Sequence, residues 1–208
     1  KGSVKLNGRE LTEFSSRSVL DKMTMIGHDS WIFKGTVRDN LLLGNPGATE
    51  EEMKEALKKV NLLSFIEAQG GLAMPLLSNG TNISGGQKQR LSLARALLHD
   101  TPVYIFDEAT SNIDAESEER IMEVIHELAK SRTILLISHR LANVVGSDCI
   151  FMLENGRVAE AGKHEELLKK GGSYSRLFRE QSELERYSEK HKKSSAGKHT
   201  ESFVEIQR

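Results

Sequence analysis

An α/β fold on a mostly parallel sheet is predicted by three apolar runs and one helix. Residues 103–106, 134–137 and 149–153 are continuous apolar stretches of strand length. That pattern suits strands buried on both faces of a parallel sheet. Between the first two, Asp114 supplies an N-cap and residues 115–130 keep helical spacing. Strand, helix, strand is the right-handed crossover unit of such a fold.

The other elements follow in chain order. Residues 3–6 alternate polar and apolar and run into Asn7-Gly8, so a strand enters a tight hairpin. Residues 23–26 form a second short strand. Thr49 and Glu52 fit a capping box, and Met53, Ala56, Leu57 and Val60 recur at helical steps behind it. Residues 62–66 make another short helix. A stronger one spans 84–98: Ser84 and Gln87 fit a second capping box, with Leu91, Ala94, Arg95 and Leu98 following. Glu154-Asn155-Gly156-Arg157 reads as a hairpin turn, and 164–170 and 174–187 as helices. From Ser188 to Thr200, Lys, Ser, His and Gly dominate, which predicts a mobile tail over 188–208.

Composition bounds the function. The 208 residues suit one domain, or one domain with an extension. A net charge of −1 calls for neither nucleic acid nor an anionic membrane as partner. Cys149 is the single cysteine, so no internal disulfide forms, and a reducing, cytoplasmic setting is expected. No apolar run approaches the roughly 20 residues that span a bilayer. Action at a membrane would need a spanning segment outside this sequence.

Three motifs carry chemistry. The strand 103–106 ends in Asp107-Glu108. Ligands of open parallel sheets sit beyond the carboxyl ends of the strands. A carboxylate there can hold Mg²⁺ with water, and its neighbour can polarise an attacking water. The plainer alternative is an acidic lead-in to the next helix. Ser84-Gly85-Gly86-Gln87-Lys88-Gln89-Arg90 joins two glycines to a helix start, an arrangement that admits a phosphate. Its alternative is a helix start with a flexible glycine pair, and capping competes with ligand binding for the Ser84 hydroxyl. Ser138-His139-Arg140 follows the next apolar strand. A histidine there can meet a γ-phosphate or serve a structural end.

Together these motifs resemble the cassette of the ABC ATPases, over about residues 1–187. Asn82-Ile83-Ser84-Gly85-Gly86-Gln87 resembles the signature motif, with Ile83 where the family has leucine. Residues 103–108 look like the Walker B strand with its catalytic glutamate, Ser111-Asn112-Ile113-Asp114 like the D-loop, and His139 like the switch histidine. Trp31-Ile32-Phe33-Lys34-Gly35-Thr36-Val37-Arg38-Asp39-Asn40-Leu41 resembles the segment after the Q-loop of exporter-type cassettes. Among exporters the sequence looks most like bacterial ones that move thiols or amino-acid-like solutes.

The resemblance implies a P-loop NTPase-like, mostly parallel sheet with a helical subdomain over about 36–100, the first strands and phosphate loop missing. It implies ATP and Mg²⁺ as cofactors and a second cassette as partner, identical or different. It also implies a transmembrane domain and a place at the cytoplasmic face of a membrane. Glu108 and His139 would be catalytic and Asp107 would hold the metal. His28, Ser84, Gly85, Gly86, Gln87 and Asp114 would meet nucleotide.

The sequence departs from the family at three points. The phosphate loop G-x-x-x-x-G-K-[ST] is absent, so the chain is expected to be a piece of a longer protein and inactive alone. His28, in Ile26-Gly27-His28-Asp29, stands where the family has the Q-loop glutamine, and an imidazole is a poorer Mg²⁺ ligand. Leu77-Ser78-Asn79-Gly80-Thr81 lacks the acidic residue exporters often carry before the signature. Two other readings compete: a soluble ABC ATPase of DNA repair or translation, and a non-catalytic half supplying only the signature. The stretch 36–82 holds no heptads for the first, and Glu108 with His139 speaks against the second.

Overall fold

Caps and turns fix where the elements begin. The computed structural model describes residues 2–111 and 113–196. They fall into two units, Lys1–Ser138 and His139–Arg208. The first unit opens with the hairpin β1 (Lys5–Leu6) and β2 (Arg9–Glu10), Lys5 opposite Glu10. Asn7 and Gly8 take φ of 50° and 80°, the two left-handed positions of the expected hairpin turn. After α1 (Ser16–Leu20) comes β3 (Met23–Gly27).

A helical stretch follows. It comprises β4 (Gly35–Thr36), α2 (Val37–Leu42), α3 (Glu50–Lys59), α4 (Leu63–Ala68), β5 (Pro75–Leu76) and α5 (Gly85–His99). Complete capping boxes start α2 at Thr36 and Asp39, α3 at Thr49 and Glu52, and α5 at Ser84 and Gln87. Buried Asn40 ties down the preceding loop: its amide accepts from the Phe33 N–H and donates to the carbonyls of Phe33 and Thr36.

β6 (Val103–Asp107), α6 (Ala115–Ala129) and β7 (Thr133–Ile137) complete the first unit. The parallel sheet runs in the order β3-β6-β7. Its register separates two faces. Ile26, Phe106 and Leu136 align on the face that joins Leu91 and Ala94 of α5 and Ile121 and Ile125 of α6 in one core. Met25, Ile105 and Leu135 align on the other face, where Met25 is 63% and Leu135 52% exposed. Burial on both faces, expected from the apolar runs, is therefore corrected. α5 and α6 join the core on the same side of the sheet, so burial alternates along β7.

The second unit corrects two further expectations. The run 149–153 was expected in the parallel sheet. It forms β8 (Ile150–Glu154), which pairs antiparallel with β9 (Arg157–Gly162). The cause is the turn right behind it: Asn155 and Gly156, at φ 48° and 73°, fold the chain straight back. After α7 (His164–Lys170), α8 spans Ser173–Ala196 and so passes Tyr187. Residues 188–196 hold no Gly or Pro to stop it. The rest of the expected tail, 197–208, lies outside the described residues. Among the described residues no helix is long and apolar enough to cross a membrane.

Candidate functional site

Gly27, Asp107 and Ile137 are register partners at the carboxyl ends of β3, β6 and β7. The chain therefore leaves all three strands along one edge, at His28, Glu108 and Ser138. That edge is where parallel sheets of this kind receive ligands. Asp107 is half-buried there. Glu108 has φ 51°, a left-handed conformation that costs a non-glycine residue about 1–3 kcal/mol. Two bonds hold it: its N–H donates to the Ile137 carbonyl at 3.0 Å, and its carbonyl accepts from the Ser111 N–H at 3.0 Å. Buried Ala109 anchors the same turn. Strained backbone at a strand end, fixed from two sides, sets the direction in which the Glu108 side chain leaves.

His28 begins the loop beyond β3. Its Nε2 lies 3.3 Å from Asp29 Oδ2 and its side chain is more than half exposed. The backbone around it is held by Gln89 of α5, which is 3% exposed. Gln89 Nε2 donates to the Gly27 carbonyl at 3.0 Å, and Gln89 Oε1 accepts from the Ser30 hydroxyl. Sequence reading assigned no part to Gln89. The signal was present, since a polar residue on the buried stripe of a helix needs partners.

At the start of α5, Ser84 Oγ accepts from the Gln87 N–H at 3.2 Å and Gln87 Oε1 accepts from the Ser84 N–H at 2.8 Å. The N–H groups of Gly85 and Gly86 have no acceptor within the helix. The two glycines differ. A side chain on Gly85 would meet nothing within 4 Å, whereas one on Gly86 would press into Ser117 Oγ and lie 3.1 Å from Asp114 Oδ2. Gly86 thus lets the starts of α5 and α6 touch, and Gly85 faces open space. Asp114 caps α6 by accepting from the Ser117 N–H at 2.8 Å. Hydrogen bonds from the Ser117 backbone and side chain, in that order, hold its carboxyl below the ordinary range.

His139 opens the second unit and is exposed. Its carbonyl accepts from Gln181 of α8 at 2.7 Å, a contact that no local pattern announces. The structure thus brings His28, Asp107 and Glu108 to one strand edge and joins Gly86 to Asp114.

The sequence model of the family described as "ABC transporter" matches residues 1–111. The chain belongs to the ABC transporter family. An uncharacterized ABC transporter ATP-binding protein of Haemophilus influenzae is 47% identical over 189 residues, covering 91% of this chain and 34% of the relative. A Staphylococcus aureus protein, provisionally named a multidrug export ATP-binding/permease protein, is 40% identical over 178 residues, covering 85% and 31%. A bacterial Atm1-family ABC exporter solved with ATP bound superposes with a TM-score of 0.81 at 32% identity, covering 87% of this chain and 32% of that one. The chain spans about a third of the length of these relatives.

Proposed function

We propose that the chain belongs to the nucleotide-binding module of an ABC exporter. That module couples ATP binding and hydrolysis at a cassette dimer to solute export across a membrane. The carrying observation is the strand edge at which Asp107 stands in register with Gly27 and Ile137 and Glu108 follows directly. The export-named and exporter relatives support the exporter reading.

Glu108 positions or deprotonates the attacking water. Asp107 holds Mg²⁺, and His139 stabilises charge on the γ-phosphate. Among the described residues no three metal-binding side chains converge. One carboxylate, with water and phosphate oxygens, is how Mg²⁺ is commonly held, and Asp107 fits that mode. The ion supplies charge neutralisation on the phosphates. His28 stands in for the glutamine as a hydrogen-bonding group toward the same edge.

Ser84, Gly85, Gly86 and Gln87 face the nucleotide held by a second cassette. The Ser84 hydroxyl accepts the capping bond and keeps its proton to donate to a phosphate oxygen, so capping and binding are compatible. The open side of Gly85 admits the phosphate. Asp114 adjoins that surface through Gly86. A groove lined by Met25, Phe33, Leu43 and Arg95, with Met25, Phe33 and Leu43 exposed, supports docking of a transmembrane domain at the cytoplasmic face of the membrane.

The test uses inside-out vesicles carrying the full-length transporter. ATP-driven solute uptake is expected, and Glu108→Gln should abolish it. Uptake that persists in Glu108→Gln contradicts the reading. The chain alone should show no steady-state ATPase activity above its own Glu108→Gln control.

A further inference from the structure

The loop carrying His139 is gripped from α8 by one side chain. Gln181 Nε2 donates to the His139 carbonyl at 2.7 Å, and Gln181 Oε1 accepts from the Leu141 N–H at 2.9 Å. A carbonyl only accepts and an N–H only donates, so the partners themselves dictate which way the amide points. Both arms of a planar group thus hold a three-residue stretch of backbone, much as an adjacent strand would. Arg140 between them is extended at φ −91°, ψ 109°. Leu141 is buried and starts the short 3-10 turn Leu141–Val144. The grip therefore sits where the chain leaves an extended path for a turn, directly at the histidine.

We propose that Gln181 is a positioning residue for ATP hydrolysis, fixing the backbone of His139 from α8. The proposal rests on the part assigned to His139 above. Backbone position sets the origin of the imidazole, and a displacement of about 1 Å in a reacting group can cost about 100-fold in rate. A glutamate at 181 would keep the bond from Leu141 but set a carboxylate against the His139 carbonyl. A methionine would keep the length and lose both bonds.

The test compares the full-length transporter with its Gln181→Met, Gln181→Glu and Glu108→Gln variants. Gln181→Met should lower kcat at least about 10-fold and leave KM for ATP within about 2-fold. Gln181→Glu, which replaces the donor to the His139 carbonyl with an acceptor, should also lower kcat. In this chain, hydrogen exchange of the Leu141 amide should accelerate in Gln181→Met while the melting midpoint stays within a few degrees. Wild-type kcat in Gln181→Met overturns the proposal. So does a loss that tracks a lowered melting midpoint and a raised KM, which marks a structural part only. If Glu108→Gln itself hydrolyses ATP normally, the underlying functional reading fails and this one falls with it. An inactive Glu108→Gln beside a fully active Gln181→Met sinks the clamp alone.

Discussion

Asp114 ties the start of α6 to pH. Its carboxyl is held below the ordinary range, first by the Ser117 N–H and then by the Ser117 side chain. A lowered folded-state pKa adds stability above the unfolded value, about 3.9, and that stability is lost as pH falls through the folded value. Asn caps helices about as well as Asp, so Asp114→Asn isolates the charge. In urea unfolding, the wild-type advantage over Asp114→Asn should be present at pH 6 and vanish toward pH 2; a gap constant over that range would remove the charge from the account. The glycines divide in the same way. Gly86→Ala should destabilise the chain by about 1–3 kcal/mol through overpacking against Ser117. Gly85→Ala should change stability by less than about 1 kcal/mol and cut ATP-driven turnover of the full-length protein. Equal effects of the two substitutions in calorimetry would contradict the assignment.

Elements were legible where local chemistry decides them. Ser84 with Gln87, Thr49 with Glu52 and Asn7 with Gly8 each mark an end that the structure reproduces, because caps and turns are settled within four residues. Which faces of the sheet are covered depends on partners far along the chain, and apolar runs alone read as buried on both sides. The register corrects this and makes a test. Phe106, fully buried against α5 and α6, should cost about 3–5 kcal/mol on truncation to Ala. Leu135 points to the open face, so Leu135→Gln should shift the unfolding midpoint of this chain by less than about 0.5 kcal/mol in equivalent stability. A large loss from Leu135→Gln would mean that this face is covered. The stretch of α8 beyond Tyr187 was not legible because residues 188–196 carry no apolar stripe, only an absence of helix breakers.

At the scale of the molecule, the candidate site was legible because its groups sit at strand ends and helix starts, which sequence patterns mark. Asp107-Glu108 closes an apolar run, and Ser84-Gly85-Gly86 opens a capped helix. The supporting groups were not legible. Gln89 and Gln181 act on backbone 62 and 42 residues away, and no local pattern announces such a partner. The proposed chemistry rests on Glu108, whose strained backbone is fixed between β7 and Ser111. The most direct test is single-turnover hydrolysis of ATP by the full-length transporter with Mg²⁺, wild type beside Glu108→Gln. Glu108→Gln is predicted to bind ATP with near wild-type affinity and to lose at least about 100-fold in the rate of cleavage. Cleavage at the wild-type rate in that variant would contradict the account.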